Sequence, residues 1–73
     1  MLYPRIRDLR EDRDVEQTEM ARMLHVSQPT YSRYETGATD IPTHILVQLA
    51  AHYRTSVDYL LGLTDERKPY RRK

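Results

Sequence analysis

Gln28, Ser32 and Arg33 set an amide, a hydroxyl and a guanidinium within one short stretch of the chain. Together they can read the edge of a base pair. A glutamine amide donates to N7 and accepts from N6 of adenine, and an arginine fork matches O6 and N7 of guanine. The serine hydroxyl is shorter and less selective. Tyr31 and Tyr34 lie between and beside them, three residues apart, so on a helix they share one side. If the tyrosines anchor that side in a core, Gln28, Thr30, Ser32 and Arg33 are turned outward. The plain alternative is an ordinary solvated helix face.

The residues just before supply what would hold such a helix in place. Met20, Ala21 and Leu24 fall at the i, i+1, i+4 spacing of an apolar stripe on a preceding helix. His25, Val26 and Ser27 form the junction, with Ser27 as N-cap, since its hydroxyl can satisfy a free N–H of the next helix. Two short helices joined by a tight turn, the second polar on its outer side, have the layout of a helix-turn-helix offered to a DNA major groove.

The same stretch, QTEMARMLHVSQPTYSRYE (residues 17–35), resembles the Cro/repressor-type helix-turn-helix, also called the xenobiotic-response-element family. Gln17 opens the first helix, Ala21 is the small residue in mid-helix, and Ser27 to Glu35 follow an S-x-x-x-x-S-R-x-E run. IRDLRED (Ile6–Asp12) is similar to the family's first helix. ETGATDIPTHILVQLAAHYRTSVDYLLG (Glu35–Gly62) is similar to its loop and last two helices. The resemblance covers about residues 4 to 63. It implies an all-α, compact five-helix bundle of the phage-repressor type, with base contacts at Gln28, Pro29, Ser32 and Arg33. It places phosphate contacts at Gln17 and Ser27, and at Thr36 and Thr39 in the loop that follows. It also implies an ion pair between Arg10 and Glu35 that braces the first helix against the third.

Several positions depart from that pattern. Pro29 replaces a polar residue, leaving its position to shape or to apolar contact with a thymine methyl. Thr36, Ala38 and Thr39 lack the positive charge common in the loop, for which Arg7, Arg10 and Arg13 are the candidate substitutes. His25 stands in place of glycine, Glu16 in place of a capping Thr or Ser, and Tyr31 in place of Ile or Val. With Glu16 a poor cap, either Asp14 caps the second helix or its end frays.

Five helices and no strands are expected. The first runs from near Pro4 to about Arg13, with Leu2 or Tyr3, Ile6 and Leu9 in the core; proline costs nothing in a first turn. The second spans Gln17 to Leu24 and the third Gln28 to Glu35 or Thr36, closed by Gly37 in the left-handed conformation. The fourth runs from about Pro42 to His52 on a stripe of Ile45, Leu46, Leu49, Ala50 and Tyr53. The fifth is capped by Ser56, carries Asp58 in its first turn, buries Val57, Leu60 and Leu61, and stops at Gly62.

At 73 residues the chain has room for one small domain, expected over residues 1–64. The nine residues that follow, DERKPYRRK, read as a basic, disordered tail or as a short arm along the phosphate backbone. The net charge of +1 hides an asymmetry. Residues 1–64 hold seven arginines against nine acids, whereas residues 65–73 carry a net +3. A slightly acidic body must rely on where its arginines sit.

Cysteine is absent, which excludes disulfides and thiolate metal sites. His25, His44 and His52 fit no ordinary metal-ligand spacing. With no glycine-rich phosphate loop and no serine set beside a base and an acid, neither catalysis nor a cofactor is expected. No apolar run nears the roughly 20 residues that cross a bilayer, and the charged start is no signal peptide. A soluble cytoplasmic protein that binds double-stranded DNA is the expectation, working as a homodimer because one short helix reads few base pairs. The alternative is an interaction protein such as an antitoxin, whose main act is to cover a protein partner. Tyr59 and Leu63 are the apolar residues that would serve either a dimer or a partner.

Overall fold

The computed structural model describes residues 3–69. Its helices are α1 (Pro4–Asp12), α2 (Gln17–Leu24), α3 (Gln28–Thr36), α4 (Thr43–His52) and α5 (Val57–Leu60), and no strand occurs among the described residues. Each helix turns a small apolar set inward. Ile6 and Leu9 come from α1, Met20, Ala21 and Leu24 from α2, Tyr31 and Tyr34 from α3, Ile45, Leu49 and Ala50 from α4, and Leu60 from α5. Ile41 and Tyr53 complete the buried cluster. The spacings expected from sequence therefore mark the inner faces, with three adjustments. Leu46, Val57 and Leu61 are only half-buried. Leu2, offered with Tyr3 as a core residue, lies outside the described residues.

The helices end in left-handed residues. Asp14, His25 and Arg54 take positive φ angles of 54°, 58° and 54°, and Gly37 takes 79°. Glycine adopts that conformation freely, whereas Asp14, His25 and Arg54 carry a Cβ that crowds the backbone. At His25 the turn holds because its own N–H reaches the carbonyls of Ala21 and Arg22. Asp14 does not cap α2. Its N–H closes α1 on the Glu11 carbonyl at 3.0 Å, while Glu16 holds the N-cap position without a side-chain bond.

The fifth helix is a single turn. Ser56 Oγ accepts the Tyr59 N–H at 3.0 Å, and the helix ends at Leu60, with Leu61 as its C-cap and Gly62, the expected stop, at φ 79°. The following segment is strapped to the body. Arg5 donates from Nη1 to the carbonyl of Tyr59 at 2.9 Å and to that of Thr64, and from Nη2 to Asp65 at 2.6 Å. Its guanidinium lies 4.1 Å from the Tyr59 ring centre. Thr55 Oγ1 donates to the Arg67 carbonyl at 2.7 Å. The segment read as a disordered tail or a short arm is thus bonded to the body at its start. Residues 70–73, with most of the tail's positive charge, lie outside the described residues.

Candidate nucleic-acid interface

Helix α3 is held by its tyrosines and opened by its cap. Ser27 Oγ accepts the Thr30 N–H at 3.2 Å and donates to Thr30 Oγ1 at 2.8 Å. Pro29 occupies the first turn, where no backbone donor is needed. Tyr31 is fully buried and Tyr34 nearly so, their rings edge to face at 6.4 Å. With that side fixed, Gln28, Pro29 and Arg33 are exposed and Ser32 is half-buried. Arg33 has no side-chain partner among the described residues, so its five donors are open to solvent or a ligand.

The residues expected on phosphates sit less simply. Ser27 spends its hydroxyl proton within its own cap. Thr36, exposed, donates to the Arg33 carbonyl at 3.3 Å. Thr39 is exposed in a loop whose neighbours are Ala38 and Asp40, so no cation is supplied there. The helix-1 arginines have partners within the chain. Arg7 pairs with Glu11 at 2.7 Å, and the Arg13 guanidinium lies 5.0 Å from the Tyr53 ring centre.

Arg10 and Glu35 meet in a two-pronged ion pair, Nε to Oε2 at 2.6 Å and Nη2 to Oε1 at 3.2 Å. Arg10 Nη1 also donates to the Val15 carbonyl at 2.8 Å, so one side chain ties α1 to α3 and to the loop before α2. The Glu35 side chain is 3% exposed and that of Arg10 13%. Removing one partner of so buried a pair costs about 3–5 kcal/mol, because the other charge is stranded.

Burial by itself would push the Glu35 carboxyl up. Hydrogen bonding from Arg10, helped by Tyr31 and Gln17, outweighs it and holds the carboxyl below its usual range. Arg10 is raised in turn by its bond to Glu35. The Tyr31 hydroxyl is buried beside this carboxylate without a partner at full hydrogen-bond geometry. Burial and the neighbouring negative charge push its ionisation far up.

Gln17 extends the network outward in a way sequence reasoning missed. Its Nε2 donates to Glu35 Oε1 at 3.0 Å, and its Oε1 accepts from Gln28 Nε2 at 2.8 Å. A residue expected on phosphate and one expected on a base are therefore bonded to each other. Both residues open their helices, and the packing of α2 against α3 brings those two starts together. Around the ion pair, Arg7, Asp8, Glu11, Gln17 and Thr36 line an open groove. Among the described residues no group of three or more His, Asp or Glu side chains is placed to hold a metal.

Five small helices, with a polar one presented on a tyrosine-anchored base, define a helix-turn-helix domain of the DNA-binding kind. The family model described as helix-turn-helix matches residues 6–60, and the chain belongs to that family, in its Cro/repressor branch. It is 36% identical over 69 residues to an uncharacterised HTH-type transcriptional regulator, YobD, of Bacillus subtilis (strain 168). That match takes in 94% of this chain but 62% of the relative, so the chain spans less than two thirds of the relative's length. No solved structure matches.

Proposed function

We propose that the protein is a sequence-specific transcriptional regulator, a repressor in the first instance, that seats α3 in the major groove. Gln28, Pro29, Ser32 and Arg33 would meet base edges, with Gln17, Ser27, Thr36 and Thr39 along the phosphates. The observation that carries this reading is the outer side of α3. Three of its four base-reading candidates are exposed, on a helix fixed by buried tyrosines. The relative of similar sequence, named as a transcriptional regulator, favours the same reading.

One helix of this length reads few base pairs, so the working form is a homodimer on a palindrome with half-sites about 34–36 Å apart. Of the two apolar residues first considered for the dimer surface, Tyr59 is half-buried and covered by Arg5. Leu63, 72% exposed, and Val47, 55% exposed, are the stronger candidates.

Selection of bound fragments from random duplex DNA, followed by affinity across a salt series, tests the proposal. A single enriched palindrome, lost on Arg33→Ala, is the expected result. Weak binding that falls steeply with salt and enriches nothing would mean phosphate contact alone. A protein partner would then become the better reading.

A further inference from the structure

Acids stand where a DNA backbone would call for cations. The starts of α2 and α3 lie together, so a residue beside Gln17 is also near the outer end of α3. Glu16 is that residue. It holds the N-cap of α2, exposed and without a side-chain bond, where free N–H groups would otherwise draw a phosphate. Glu19 is exposed in the first turn of the same helix. Beyond the other end of α3, exposed Asp40 follows Thr39 in the loop that leads to α4. No hydrogen bond or ion pair among the described residues engages the side chains of Glu16, Glu19 or Asp40. Nothing in the described fold offsets their charge.

We propose that Glu16 and Asp40 face the phosphate backbone and restrain DNA binding, so that affinity comes from base contacts and little from the backbone. This rests on the reading of α3 as the base-contacting helix. Glu19 also favours the N-terminal end of α2 electrostatically, and for that reason the restraint is assigned to the other two. A carboxylate set near a phosphate repels it or keeps cations between them. Each cation kept is one fewer released, and cation release is what makes backbone contacts strong and salt-dependent. The restraint acts on every sequence alike, because phosphates carry no sequence information. Random duplex is then held weakly, and occupancy of a palindrome hinges on two copies binding together.

The test follows fluorescence anisotropy of the full chain on its enriched operator and on a random duplex, from low to physiological salt. Asp40→Asn and Glu16→Gln each remove one charge and no bond. Each is expected to tighten both duplexes by about two- to fivefold at low salt, the span of an exposed charge interaction. That gain is expected to fade as salt screens it. Asp40→Lys is expected to go further and to steepen the log–log salt slope by about 1, the mark of a new phosphate contact. Glu66→Gln takes the same charge from the segment after α5 and is expected to leave both affinities nearly unchanged. Circular dichroism melts check that every variant keeps the fold.

A neutralised carboxylate that binds no tighter than the wild type overturns the restraint at its position. An equal gain from Glu66→Gln overturns it as well, since net charge would then be the cause. So does a gain confined to the operator, because a backbone effect cannot choose a sequence. If no sequence is enriched, the base-reading role of α3 fails, and the variants on random duplex decide by themselves whether the carboxylates face a backbone. A chain that binds neither duplex, with or without them, overturns both readings.

Discussion

Glu35 is a charge kept inside a small domain, and its energetics follow from what surrounds it. Burial raises the carboxyl, and the Arg10 guanidinium with its neighbours lowers it by more. A carboxyl whose pKa is depressed by folding stabilises the fold fully above its unfolded value, here about 4.5. That contribution is lost as pH falls through the folded value. Urea midpoints of the wild type are therefore expected to decline as pH drops below about 4.5, with a smaller decline for Glu35→Gln. Equal declines would assign the acid sensitivity to other carboxylates. The ion pair was legible in the sequence because Arg10 and Glu35 stand where a resembling family keeps them. The Gln17–Gln28 bond was not. Its partners are 11 positions apart on separate helices, and only the crossing of α2 and α3 brings two ordinary glutamines together.

At the scale of elements, periodicity carried most of the information. The stripes of α1 to α4 name the buried residues because one face of each helix must leave water. The ends of the helices were harder to foresee. Gly37 announces a left-handed close, but Asp14 and Arg54 adopt the same conformation with no glycine to mark it. His25 is the exposed member of this set within the helix-turn-helix itself. His25→Gly removes a Cβ clash worth about 1–2 kcal/mol and returns some of that as unfolded-state entropy. A net gain of about 1 kcal/mol is expected from the same balance, measured as a higher urea midpoint. A lower midpoint would show that the imidazole makes a stabilising contact. The ends of α5 were legible by contrast, since Ser56 caps it and the left-handed Gly62 follows directly on its C-cap, Leu61.

Across the whole molecule, the arginines of the first helix are the ones drawn into the fold. Arg5, Arg7, Arg10 and Arg13 are each occupied by a carboxylate, a carbonyl or a ring, which leaves Arg33 as the exposed cation on α3. The bonds that tie down the segment after α5 were the least legible feature. Backbone carbonyls receive much of the strap, and a carbonyl leaves no trace in a residue pattern.

The strap also brings residue 5 and residue 65 into contact, so the polypeptide traces an almost closed ring. Where a chain starts on such a ring is a matter of convenience more than of architecture. A circular permutant with a short glycine-serine bridge across the strap, opened at exposed Thr39, should fold with its helical circular dichroism intact. An unfolded permutant would show instead that the loop between α3 and α4 has to be continuous for the two halves to find each other.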